Sequence, residues 1–121
     1  MMPRILLIED DPDIRNVLKW HLIKNEFQVI CAENVSLSLH RATEFQPDLI
    51  ILDTNMPGID GFQFAECLRR DSNCAHIPIL GVTPFATYNR RLRAAAAGLD
   101  RFITKPYFLK DLMPMVKSMI A

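Results

Sequence analysis

The feature that most constrains this chain is a fivefold alternation of a short apolar run with a stretch of helical periodicity. A run without polar residues between its apolar ones suits a strand covered on both faces. Arg4–Ile8 and Phe27–Cys31 read this way, and Asp48–Asp53 is the clearest, because Leu49, Ile50, Ile51 and Leu52 are contiguous. Ile77–Val82 is a fourth strand and Asp100–Ile103 a short fifth. Helices are expected over Pro12–Lys24, Val35–Phe45, Gly61–Arg70, Thr87–Ala97 and Leu109–Ile120. Alternating β and α with unbroken apolar strands predicts an α/β fold, a parallel sheet with helices on both faces.

Local signals support these elements. Asp11 before Pro12 is an acidic N-cap followed by proline at the first helical position. Gln46-Pro47 stops the second helix, and Gly98 suits the left-handed cap of the fourth. The spacing turns Ile14, Val17, Leu18, His21 and Leu22 of the first helix inward, with Trp20 off that stripe. It does the same for Val35, Leu39 and Ala42, for Phe64, Cys67 and Leu68, and for Leu109, Leu112, Met113, Val116 and Ile120. Pro114 inside the last helix costs about 3 kcal/mol relative to alanine, so that helix is expected to kink or to start late. A second apolar line on it, Phe108, Met115 and Met119, is a candidate partner or homodimer surface; the competing reading is core variation around a kink.

Composition narrows the function classes. The 121 residues are the size of one domain, taken as 1–121. Apolar runs of four fall far short of the roughly 20 residues of a membrane span. Lys plus Arg equals Asp plus Glu at 14 each, which leaves no electrostatic footprint for direct nucleic-acid binding. Cys31, Cys67 and Cys74 are odd in number and lack CxxC spacing, so they read as reduced cytoplasmic thiols, with Cys31 in the core. His21, His40 and His76 are isolated, without the neighbours of a metal site.

In parallel α/β sheets, ligands bind beyond the carboxyl ends of the strands. That rule selects Glu9-Asp10-Asp11, Asn34, Asp53-Thr54-Asn55, Thr83-Pro84 and Thr104-Lys105-Pro106. Glu9, Asp10 and Asp53 would share one crevice. Carboxylates so placed repel unless neutralised, and a hard divalent cation such as Mg2+ is the simplest neutraliser. Thr83 adds a hydroxyl and Lys105 a compact ammonium. The set suits phosphoryl transfer to a carboxylate, with Asp53 as nucleophile. Singly, each piece has an ordinary explanation: acids as N-caps or solvated charges, Lys-Pro and Thr-Pro as plain turns. The order and matching positions are far more specific.

Over its whole length the chain resembles the receiver domains of two-component signalling. The matching motifs are Ile5-Leu6-Leu7-Ile8-Glu9-Asp10-Asp11-Pro12-Asp13-Ile14, Pro47-Asp48-Leu49-Ile50-Ile51-Leu52-Asp53 with Met56-Pro57-Gly58-Ile59-Asp60-Gly61, Val82-Thr83, and Gly98-Leu99-Asp100-Arg101-Phe102-Ile103-Thr104-Lys105-Pro106-Tyr107. The resemblance implies a flavodoxin-like (βα)5 three-layer sandwich with sheet order 2-1-3-4-5. It implies Asp53 as phosphoacceptor, and Glu9, Asp10, Asp53 and the Asn55 carbonyl around Mg2+. Thr83 and Lys105 would contact the phosphoryl group, Thr83 and Phe102 would act as the switch, and Lys105-Pro106 would be a cis peptide. The implied donor is a sensor histidine kinase or phosphotransfer protein. The implied response is a shift of the face formed by the last two α/β units, read by an effector that the sequence does not name. The chain would be a switch rather than an enzyme.

Two residues depart from or modify that pattern. Pro84 stands where the family has a small residue whose N–H donates to the phosphoryl group, and proline has none. The bland alternative is a rearranged loop with water as donor. Phe85 is placed to shield an acyl phosphate from water. Pro84 also keeps open a second class, a receiver-like protein-binding module with weak or no phosphorylation; the intact Glu9, Asp10, Asp53 and Lys105 oppose it. A magnesium-dependent phosphatase is disfavoured because Asn55 stands where a second Asp is usual. A flavin domain is disfavoured because no hydroxyl- and glycine-rich loop follows the first strand. Arg90, Arg91 and Arg93 read as a solvated basic face or as a docking surface beside Phe102.

Overall fold

The computed structural model describes residues 2–56, 60–84 and 87–120. Five strands, β1 (Arg4–Ile8), β2 (Gln28–Ala32), β3 (Leu49–Asp53), β4 (Ile79–Thr83) and β5 (Arg101–Thr104), alternate with five helices, α1 (Pro12–Lys24), α2 (Val35–Phe45), α3 (Gly61–Arg70), α4 (Tyr88–Ala97) and α5 (Leu109–Ile120). All neighbouring strands are parallel, and their order is β2-β1-β3-β4-β5. This is the flavodoxin-like three-layer arrangement. β3 and β4 are buried along their whole length, as their lack of polar alternation requires.

The sheet separates two cores. One joins alternate residues Leu6, Ile8, Ile50 and Leu52 to Ala42, Phe64, Leu68, Ala94 and Ala97 of α2, α3 and α4. The other joins Ile5, Leu7, Leu49 and Ile51 to Leu18, Leu22, Leu112 and Val116 of α1 and α5. Helix ends follow local chemistry. Asp11 accepts from the N–H groups of Asp13 and Ile14 ahead of Pro12, Asn34, Asp60 and Thr87 cap α2, α3 and α4, and Gly98 ends α4 at φ 94°.

Several expectations are corrected. β2 begins at Gln28, because Glu26 takes a left-handed φ of 69° and the Phe27 N–H still bonds to Leu22 O of α1. β4 begins at Ile79, since Ile77 is held in a turn on Cys74 O and Pro78 has no N–H to offer. Ile14 and Val17 are exposed, Val17 by 52%, although the pattern turned them inward. α1 packs through Leu18 and Leu22. Ile14 and Val17 instead line an open groove with Tyr107 and Leu109. Cys67 is exposed, because Phe62, Phe64, Ala65 and Leu68 fill the inward face of α3. Cys31 is only half-buried, since β2 is an edge strand. α5 starts at Leu109 and runs as one element through Pro114, which lies on its exposed side. The second apolar line on α5 does not form one surface. Met115 and Met119 pack against the core, and Phe108 alone projects, 68% exposed.

The arginines of α4 are not a merely solvated face. Arg90 and Arg93 lie over the Phe62 ring, 5.2 and 4.8 Å from its centre, and Arg93 pairs with Asp60. Arg91 lies 5.9 Å over Phe102.

Candidate functional site

β1 and β3 lie side by side, with Ile8 opposite Leu52, so the residues that follow them emerge together. Glu9, Asp10 and Asp53 each present a carboxylate oxygen, and the three lie within 4.8 Å of one another. Glu9 and Asp53 are almost fully buried, at 3% and 4% exposure. β4 ends beside them at Thr83, also buried. The Lys105 N–H donates to Thr83 O at 2.8 Å, which ties the end of β5 to the end of β4. The Lys105–Pro106 peptide is cis.

Both oxygens of Asp53 are engaged. Oδ1 accepts from the Asn55 N–H at 2.9 Å, and Oδ2 accepts from Lys105 Nζ at 3.1 Å. Lys105 Nζ also lies 3.9 Å from Glu9 Oε1. One ammonium thus pairs with two of the three clustered acids. Burial first, then the hydrogen bond to Asp53 and its charge, push Glu9 up to about 8, with Lys105 pulling the other way. Glu9 Oε2 is buried without a hydrogen-bond partner. Hard oxygen donors, an excess of negative charge and an orphaned buried carboxylate oxygen together fit a small divalent cation.

Thr54 and Gly61 hold the β3–α3 connection close to the sheet. Thr54 bonds to Val82 O through its N–H and its hydroxyl, at 2.9 and 3.2 Å. A Cβ on Gly61 would lie 2.6 Å from Thr54 Cα, so only glycine permits this approach. Pro84 follows Thr83 at intermediate burial. Phe85 and residues 57–59 lie outside the described residues. Phe102 is half-buried against the α3/α4 core.

The sequence reading did not single out Tyr107 or Arg15. Tyr107 is half-buried beside the acids; burial first, then Glu9 and Asp53, raise its phenol to about 12. Arg15 donates from Nη1 to the carbonyls of Glu9 and Asp10, at 3.0 and 3.4 Å. No sequence motif marks either role, since both depend on where backbone and ring come to lie.

Comparison with known proteins agrees with this geometry. The family model described as a response regulator receiver domain matches residues 5–117. The phosphate regulon transcriptional regulatory protein PhoB of Escherichia coli K12 is 36% identical over 120 residues, 99% of this chain and 52% of PhoB. The chain thus spans about half the length of the curated relatives it matches. The chemotaxis protein CheY4 of Vibrio cholerae superposes with a TM-score of 0.93 at 26% identity, covering 98% of this chain and 99% of CheY4. The receiver domain of the sensor histidine kinase PA1611 of Pseudomonas aeruginosa PAO1, with magnesium coordinated in its active-site cleft, shares the fold at 24% identity and a TM-score of 0.88, covering 99% and 98% of the two chains. The chain belongs to the response regulator receiver domain family, the phosphoryl-accepting switches of two-component signalling.

Proposed function

We propose that Asp53 is the phosphoacceptor of this switch and that Glu9, Asp10, Asp53 and the Asn55 carbonyl hold Mg2+. The observation that carries the reading is the buried Asp53 carboxylate, gripped by Lys105 and Asn55 inside a three-acid cluster. The magnesium in the PA1611 receiver supports the choice of metal. An Asp53 oxygen forms the new P–O bond as the P–N bond to the donor histidine breaks, and the imidazole leaves with the electron pair and takes up a proton. Lys105, freed from its ion pair as Asp53 becomes an acyl phosphate, follows the charge onto the phosphoryl oxygens. The Thr83 hydroxyl binds the same oxygens. Bound magnesium supplies positive charge that offsets the charge of the phosphoryl group.

The donor is a sensor histidine kinase or phosphotransfer protein, and this chain acts as a switch without turnover of its own, in the cytoplasm, as one domain. Its docking face is the exposed apolar side of α1. Ile14 and Val17, with Tyr107 and Leu109, line a groove of about 590 Å³ that begins at Lys105, beside the site. Trp20 extends the same helix outward, 58% exposed. A donor seated there brings its histidine over Asp53. The signal leaves through Thr83 and Phe102 to the α4–β5–α5 face.

The test is intact mass after incubation with Mg2+ and acetyl phosphate. One phosphoryl adduct is expected, absent in Asp53→Asn. An adduct that persists in Asp53→Asn, or none in the parent protein, defeats the reading. Pro84 enters the same measurement. Without an N–H it leaves the phosphoryl group one donor short, and such a charge-assisted bond contributes roughly 1.5–3 kcal/mol. Pro84→Ala should raise the adduct fraction or its lifetime by about tenfold, and an unchanged value rejects this role.

A further inference from the structure

The β1–α1 corner presents its side chains to the site and its carbonyls to Arg15. The Glu9 and Asp10 carboxylates converge on Asp53, while the guanidinium of Arg15 bonds to the Glu9 and Asp10 carbonyl oxygens from the other side. Arg15 stands in the first turns of α1, and a helical side chain leans back toward the N-terminus of its helix. Its own N–H bonds to Asp11 O at 2.9 Å, and the Asp11 side chain caps the N–H groups of Asp13 and Ile14. Backbone and side chain of Arg15 therefore grip the corner together.

We propose that Arg15 is a positioning residue for the metal site, its guanidinium fixing the Glu9 and Asp10 peptide planes so that both carboxylates stay aimed at Asp53. The inference rests on the reading of the acid cluster as a Mg2+ site. The physical need is clear: Mg2+ binding requires three acids within 4.8 Å to be ionised together, and a corner free to move could relieve their repulsion by swinging Glu9 or Asp10 away. A guanidinium reaching two adjacent carbonyls opposes that swing. Both bonds come from Nη1, and a lysine keeps the charge but ends one bond short of that nitrogen. Residues that orient metal ligands typically change affinity by about 10–100-fold when removed.

Charge alone predicts the opposite sign. Arg15 is a cation close to a cation site, so if it acted by charge its removal would tighten Mg2+ binding. Calorimetric Mg2+ titration of the parent protein, Arg15→Lys and Arg15→Met separates the two, with Asp10→Asn as the site-loss control. Positioning predicts about tenfold weaker binding in both Arg15 variants. Thermal melts with chelator and with saturating Mg2+ supply the second readout. A merely structural brace lowers both melting temperatures equally, whereas positioning shrinks the Mg2+-induced increment. Parent-like affinity in both variants, tighter binding in Arg15→Met, or an unchanged increment overturns the role of Arg15. Absence of saturable Mg2+ binding in the parent protein overturns the metal-site reading beneath it, and the inference with it.

Discussion

Glu9 is the residue at which this site opposes the stability of its own fold. Its carboxyl titrates near 4.5 in an unfolded chain and near 8 here, chiefly because it is buried. Between those values the native state holds a proton that the unfolded state has lost. Stability from this group is therefore complete below pH 4.5 and declines as pH rises, until it is lost above about 8. The decline is on the order of one kcal/mol per pH unit for a single proton. In chelator, the melting temperature should fall between pH 5 and 8. Glu9→Gln, which keeps the shape without the ionisation, should flatten that fall, and Mg2+ should offset it in the parent. Parallel pH profiles for parent and Glu9→Gln in chelator would reject this account. The convergence of Glu9, Asp10, Asp53, Thr83 and Lys105 was legible in the sequence, because it follows from position at a strand end. Arg15 was not, because its role is written in the direction of two carbonyls.

At the scale of elements, the periodicities located all ten strands and helices, with ends displaced by a residue or two. The displacements trace to single residues, such as the left-handed Glu26 ahead of β2 and the donorless Pro78 ahead of β4. The phase of α1 was misread for a different reason. Amphipathic spacing marks an apolar stripe, but not which part of it meets the core and which part lines an open groove. α5 offers a stability test of its own. Pro114 is its sixth residue and exposed, so the helix forgoes one backbone bond there without a packing return. Pro114→Ala should stabilise the protein by about 1–3 kcal/mol. Gly98→Ala should do the reverse, by about 1 kcal/mol or more, because φ is 94° and the new Cβ would lie 2.6 Å from Arg69 Cγ. Urea denaturation checks both, and equal midpoints for parent and variants would contradict them.

For the whole molecule, the sheet divides labour between its faces. α1 and α5 cover one side, α2, α3 and α4 the other, and the acid site lies at the carboxyl edge between them. The proposed donor docking at the open flank of α1 and the proposed signal output from α4 and β5 would therefore not compete for surface. Val17→Glu, which puts a charge into the apolar groove, should slow transfer from a phosphohistidine protein about tenfold more than it slows labelling by acetyl phosphate. Equal slowing with both donors would place the docking face elsewhere.

The packing around Phe102 also bears on the speed of the proposed switch. Between its ring and Thr83 lies a void of about 10 Å³, bounded by Phe62, Arg90, Ala94 and Leu99. That is room for about one water, not for a phenyl group. On the same face of the sheet, Gly81 already has Leu99 pressed so close that an added Cβ would sit 2.8 Å from its methyl. If Phe102 acts in the proposed switch by turning its ring inward, that turn would thus not be an isolated rotamer hop on the ps–ns scale. It would need α4 to shift Arg90 and Arg93 off Phe62, and such collective motion belongs to the μs–ms range. In the proposed switch the aromatic and the helix would then move as one event, and the speed of the switch would be the speed of the helix.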